Sequence, residues 1–249
     1  MLFRANLIGP GVLVITNTYC GGGSKFSGGV SLTVVKHFEA FGDNTAPCGL
    51  ESGTSFTNLG VVVVENVMYL GQDDITIINK GYFFLANRGL ASNPIGQSNN
   101  TNHFIHMGHM VISGSDNQTY IFADLTISET GEIDFSTSIT VAGRLTTRGK
   151  FSQEPVSFFF ARMLVVSVDS FELDGGETYL CGATLRASSR DIILRNGTFD
   201  VTASFLQHWV ILDGDVVNMG AKMTVQIHRA ALQILGSFIQ WSQASIVMK

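Results

Sequence analysis

Short β-like runs recur at nearly even spacing through residues 125–235. They are Leu125-Thr126-Ile127, Phe171-Glu172-Leu173, Ile192-Ile193-Leu194, Val210-Ile211-Leu212 and Leu232-Gln233-Ile234. From Leu173 to Leu194 is 21 positions, from Leu194 to Leu212 is 18 and from Leu212 to Ile234 is 22. A fixed period of this size means that one structural unit is reused, each copy burying its apolar side against the next. A second phrase recurs with it, a glycine, one variable residue and a large apolar residue. It stands at Gly81-Tyr82-Phe83, Gly131-Glu132-Ile133, Gly143-Arg144-Leu145, Gly149-Lys150-Phe151, Gly197-Thr198-Phe199 and Gly236-Ser237-Phe238. Glycine allows a positive φ where a chain turns a corner, and the apolar residue two places on then points inward at the start of a short strand.

Composition agrees with strands. Charged residues make up only 14% of the chain against 45% hydrophobic, too few to solvate the outer faces of helices. With 27 Gly and 4 Pro beside many Val, Ile, Phe and Thr, the chain suits strands joined by tight turns, and no capped helix-period stretch stands out. The fold class expected is all-β, a parallel coil of rungs of about 20 residues. The whole of 1–249 is expected to form a single β-helix domain, alone or as part of a longer chain or assembly. An all-β sandwich of two domains split near 91–118 is the competing architecture, since strand order is not readable from one sequence.

Several segments carry their own expectations. Val12-Leu13-Val14-Ile15 reads as a strand after the Gly9-Pro10-Gly11 turn rather than as a signal peptide. The continuous Val61-Val62-Val63-Val64 block predicts a strand covered on both faces. Phe158-Phe159-Phe160 and 163–168 form the densest apolar stretch. Residues 91–118, with the polar run 93–102, predict a protruding loop. The uncapped Val247-Met248-Lys249 predicts an end that stacks on another chain or on more of the same one.

Net charge is −5 with no basic stripe, which excludes a nucleic-acid surface, and no apolar run is long enough to span a bilayer as a helix. Three cysteines do not build a disulfide framework or a zinc site. Cys20 and Cys48 form one candidate bridge, with three buried thiols as the alternative. Sequons at Asn99, Asn117 and Asn196 are candidate glycosylation sites of a secreted chain.

The rung text resembles the right-handed parallel β-helix proteins, the pectin-lyase-like superfamily and the surface adhesins sharing its coil, over roughly residues 60–249. Gly28-Gly29-Val30 and Phe84-Leu85-Ala86-Asn87 also look like single copies of repeat words of bacterial polymorphic outer-membrane adhesins. Within the resemblance, Gly71-Gln72-Asp73-Asp74 is similar to the paired-Asp motif of inverting polygalacturonases and Gly108-His109 to part of their Gly-His-Gly. That likeness implies Asp73 and Asp74 as acid and base with His109 beside them. Ala46 stands where that family carries a further Asp, and Met110 replaces the last Gly.

Other motifs resolve to bland readings. His103, His106 and His109 alternate faces along a strand, which opposes a shared metal. Gly21-Gly22-Gly23-Ser24 is a glycine turn rather than a phosphate loop, and Asp213-Gly214-Asp215 is a polar corner rather than a calcium loop. No cofactor or metal is implied. The sequence therefore points to a non-catalytic structural or adhesive protein of an extracellular or cell surface. Its expected partners are protein through the terminal rungs or surface carbohydrate, and the alternative is a polysaccharide-cleaving enzyme.

Overall fold

A computed structural model describes residues 2–3, 6–41, 46–71, 74–86, 89–92, 102–114, 118–153, 164–202, 209–225 and 231–248. Every strand pairing in it is parallel, and each joins segments one circuit of the chain apart. The chain is an all-β parallel solenoid with rungs of about 22 residues. A sandwich is built from antiparallel strands, so the two-domain alternative fails on this pattern.

Each circuit passes three faces, C, A and B in chain order. Face C stacks Asn6–Ile8, Lys25–Ser27, Cys48–Leu50, Val67–Leu70, Gly89–Ser92, Gln118–Ile121, 138–141, 164–168, 183–187, 209–213 and Ala231–Ile234. Face A stacks 11–15, 30–34, Ser55–Asn58, Thr76–Asn79, His103–His106, Asp124–Ile127, 144–147, 170–173, 192–194, 216–218 and Phe238–Gln240. Face B runs from 17–20 through Val61–Val64, Tyr82–Leu85, His109–Ile112 and Glu132–Phe135 to Ser245–Met248.

This register explains the uneven spacing in the sequence. Phe171–Leu173 and 192–194 are consecutive rungs of face A, whereas 210–212 and 232–234 are consecutive rungs of face C. The 18-residue interval therefore crosses from one face to another; the true partner of Leu194 is Asn218 and that of Leu212 on the rung below is Leu185.

Alternate residues point inward, and the inward positions hold the large apolar side chains. On face A one column reads Leu32, Phe56, Ile77, Phe104, Leu125, Leu145, Phe171, Ile192 and Val216, all buried. Phenylalanines of faces A and B meet across the interior. Phe83 lies 5.3 Å from Phe104 and Phe38 lies 5.4 Å from Phe56, while within face B Phe135 stacks on Phe151 of the next rung at 4.7 Å. Val61–Val64 is covered on one side only: Val62 and Val64 fill the core while Val61 is 37% exposed. A valine block here is one inward pair and one outward pair, because the solenoid has no second layer to cover its outside.

The glycine phrase marks corners, for a reason other than the one expected. Gly60, Gly81 and Gly108 stand at the turn from face A to face B on consecutive rungs, as do Gly131, Gly149, Gly176 and Gly197. Among the six copies read from sequence, only Gly197 has a φ in the left-handed region, at +99°. The requirement is close approach. A Cβ on Gly81 would sit 2.1 Å from the Gly60 carbonyl oxygen, on Gly108 2.1 Å from that of Gly81, and on Gly149 2.1 Å from that of Gly131. Those carbonyls are occupied as acceptors: Tyr82 N–H donates to Gly60 at 2.8 Å, His109 N–H to Gly81 at 3.0 Å and Lys150 N–H to Gly131 at 2.9 Å. Gly143 and Gly236 mark the corner from C to A instead.

Residues 102–114, inside the segment expected to protrude, are a working part of the coil. His103–His106 and His109–Ile112 pair on both sides, and Asn102 is buried. The Asn102 carboxamide ties three rungs: its nitrogen donates to the carbonyls of Gly71 at 2.8 Å and Phe122 at 3.2 Å, and its oxygen accepts from Ile75 N–H at 3.1 Å. Its polarity serves a corner rather than solvent. Residues 93–101 and 115–117, like Phe158-Phe159-Phe160, lie outside the described residues. Among the described residues no helix is long and apolar enough to cross a membrane.

Two outcomes test this packing. Phe151→Ala, at a side chain 1% exposed, is expected to cost about 3–5 kcal/mol in urea unfolding, and an effect near zero would mean the register is wrong. Gly149→Ala is expected to lower stability by about 1–3 kcal/mol through steric conflict with Gly131, despite alanine's advantage in chain entropy.

Candidate functional site

The outward positions of face A carry a pocket. It is an open groove of about 430 Å³ across the rungs from His103–His106 to 170–173, lined by His103, Asp124, Thr126, Ala142, Gly143, Arg144, Thr146, Asp169 and Ser170. Register sets its polar wall: His103, Asp124, Arg144 and Ser170 lie on successive rungs, about 4.8 Å apart, at the first outward position of the face. Thr126 and Thr146 follow at the second. The strand Ser138–Thr147 passes from face C to face A without a loop, and Ala142 and Gly143 keep that corner low.

Local hydrogen bonds hold the groove's carboxylates. Arg144 N–H donates to Asp124 Oδ1 at 2.8 Å, and a Cβ on Gly143 would come 2.3 Å from that oxygen. The Ser188 hydroxyl donates to Asp169 Oδ1 at 2.9 Å. The Arg144 guanidinium reaches outward, 62% exposed, 3.9 Å from Glu172, which also pairs with Arg195. The groove thus offers two carboxylates with a guanidinium on the rung between them, beside an imidazole and hydroxyls.

Of the residues singled out by the polygalacturonase likeness, Asp74 and His109 stand apart and outside the groove. Asp73 lies outside the described residues. Asp74 is exposed at the corner from face C to face A, with φ +51°. His109 opens a face B strand, its ring 5.3 Å from that of Tyr82 and its Nδ1 3.7 Å from Glu132. A four-residue strand of face A, about 13 Å long, separates the corner of Asp74 from the corner before Tyr82 and His109. Gly108, paired with His109 in that likeness, is a member of the glycine column.

The three histidines part as their spacing predicts: His103 lines the groove, His106 is buried and His109 stands on face B. Among the described residues no group of three or more His, Cys, Asp or Glu is placed to hold a metal. Asn196 is exposed and its side-chain oxygen accepts from Gly197 N–H at 2.9 Å. Asn99 and Asn117 lie outside the described residues. Cys20 and Cys48 are disulfide-bonded with Cα atoms 5.5 Å apart, across the corner from face B to face C, while Cys181 is a buried free thiol.

Sequence reading missed Asp124, Arg144 and Asp169. The signal was present, since Asp124-Leu125 and Arg144-Leu145 each place a charge just before an inward leucine, but it becomes a site only once the rungs are in register. No family model matches the chain, and neither a curated protein nor a solved structure does.

On the rungs leading up to the groove, the inner end of face A carries a polar column. Asn58 Nδ2 donates to Asn79 Oδ1 at 2.7 Å, and Asn79 Nδ2 lies 3.0 Å from His106 Nδ1. All three side chains are fully buried. Since the amide nitrogen can only donate, His106 Nδ1 accepts, and Nε2–H donates to the Glu132 carbonyl at 2.8 Å. Burial holds the imidazole neutral, with its pKa down at about 4, and the nearby His109 acts in the same direction. The folded state therefore binds a proton less readily than the unfolded chain, whose histidine titrates near 6.5. The stability this neutral ring supplies is present above about pH 6.5 and is lost as pH falls toward 4. Unfolding free energy is expected to drop by about 3 kcal/mol over that window, and His106→Asn is expected to remove the drop. An unchanged pH profile in that variant would assign the acid lability to other groups.

Proposed function

We propose that the chain is a non-catalytic structural or adhesive β-helix protein of an extracellular surface or assembly. The observation that carries this reading is the rung 231–248. Phe238 occupies the inward column that Phe171, Ile192 and Val216 fill below it, yet it is 38% exposed. Ile239, Trp241 and Ile246 are exposed beside it. Apolar side chains exposed together on one rung form a surface against which a second chain can bury area at about 25 cal/mol per Å².

Other features support the same reading. The Cys20–Cys48 bridge closes 28 residues, contributes about 3–4 kcal/mol by restricting the unfolded chain, and persists in an oxidising compartment. The exposed Asn196 sequon agrees with a secreted glycoprotein. The separation of Asp74 from His109 speaks against a histidine placed beside the acids, as the enzymatic alternative would have it.

Light scattering across a concentration series is expected to show self-association, or a stable complex with a second subunit in material purified from its source. Phe238→Ser with Trp241→Ser is expected to abolish it while leaving the melting temperature of the remaining fold intact. Release of reducing ends from polysaccharides by the purified chain would overturn the non-catalytic reading.

A further inference from the structure

We propose that the groove on the outside of face A is a saccharide-binding site, suited to a neutral or amino-sugar chain and unsuited to a polyuronate. This deepens the adhesive reading above and rests on it only in holding the ligand without turnover.

Size and shape come first. About 430 Å³ lies within the range of small-ligand sites, and the lining residues are spread over four successive rungs, so the groove is elongated along the solenoid axis. A chain molecule lying along that axis meets the same outward positions rung after rung.

The chemistry of the wall then narrows the ligand. A lipid or an apolar peptide side chain needs apolar lining, and Ala142 with Gly143 supply almost none. A nucleobase needs an aromatic platform, and the only ring in the wall is that of His103. A divalent cation needs its carboxylates converging within coordination distance, whereas Asp124 and Asp169 sit about two rungs apart, roughly 10 Å along the stack, with Arg144 between. An anionic ligand meets two carboxylates and a guanidinium already beside Glu172, so its charge is repelled more than it is matched.

What remains is a ligand rich in groups that both donate and accept. The carboxylates of Asp124 and Asp169 accept from sugar hydroxyls or an amine, Arg144 donates to ring and hydroxyl oxygens, and Thr126 and Thr146 do either. The carboxylates are also held in advance. Asp124 is fixed by the Arg144 backbone and Asp169 by Ser188, which lowers the entropy lost when a ligand binds.

The test is titration calorimetry of the full chain with hexamers of cellulose, mannan and chitosan, against oligogalacturonate. Saturable binding of at least one neutral or amino hexamer, with weaker or absent binding of oligogalacturonate, is expected. Asp169→Asn and Thr126→Trp, both at outward positions, are each expected to weaken it about tenfold or more, with unchanged melting temperature. Failure of every neutral and amino hexamer to bind at millimolar concentration, tighter binding of oligogalacturonate, or undiminished binding by both variants would each overturn the proposal. Cleavage of a bound hexamer would support the groove as a saccharide site and overturn the non-catalytic reading. Loss of the groove proposal alone would leave association through the rung 231–248 standing.

Discussion

The contact on which the rest of the molecule depends is the backbone hydrogen bond between successive rungs, above all at the turn from face A to face B. There a glycine carbonyl accepts from the next rung directly beneath the place where a side chain would begin. With a Cβ only 2.1 Å from that oxygen at Gly81, Gly108 and Gly149, one methyl group would push the rungs apart at that corner. Keeping it bare allows the strands on either side to reach ladder distance together, and only then do the inward phenylalanines meet. The corner is thus a condition for the core rather than a decoration of it.

The interior is apolar along most of its length, and its buried polar side chains include a connected column. Asn58, Asn79 and His106 are fully buried, and each finds its partners in neighbouring rungs or in the adjoining corner, so little of their hydrogen-bonding capacity is wasted. Such a column links folding to protonation because His106 accepts through one nitrogen and donates through the other. A second proton there would set two donors face to face. Structure and pH sensitivity come from the same three side chains.

The outside is organised by the same register. Because every rung places its first outward residue above that of the rung before, side chains scattered 20 or more positions apart in the chain become neighbours: His103, Asp124 and Arg144 in the groove, and Arg186 with Asp213 at 2.8 Å on face C. A ligand surface is created by stacking, with no loop required. The apolar rung 231–248 and the polar groove are two consequences of one repeat. The first sets apolar side chains side by side on one rung, and the second gathers polar ones across several.

Strand content, the parallel coil and the inward placement of residues such as Phe151 and Phe171 were determined by the sequence itself, because a period of two within strands and a recurring glycine between them leave few other ways to bury so much apolar surface with so little charge. Face membership was not legible: Leu194 and Leu212 look like successive copies but belong to different faces, since corners of unequal length break the period. Asn102 read as loop because polarity alone does not tell a solvated amide from one that ties three rungs together. The glycines were recognisable as corners, but their role in close packing rather than in positive φ depended on a carbonyl supplied by a segment about one rung away. The groove of Asp124, Arg144 and Asp169 was likewise decided only by tertiary structure. Its residues share no local motif, and their proximity exists only through hydrogen bonds between rungs.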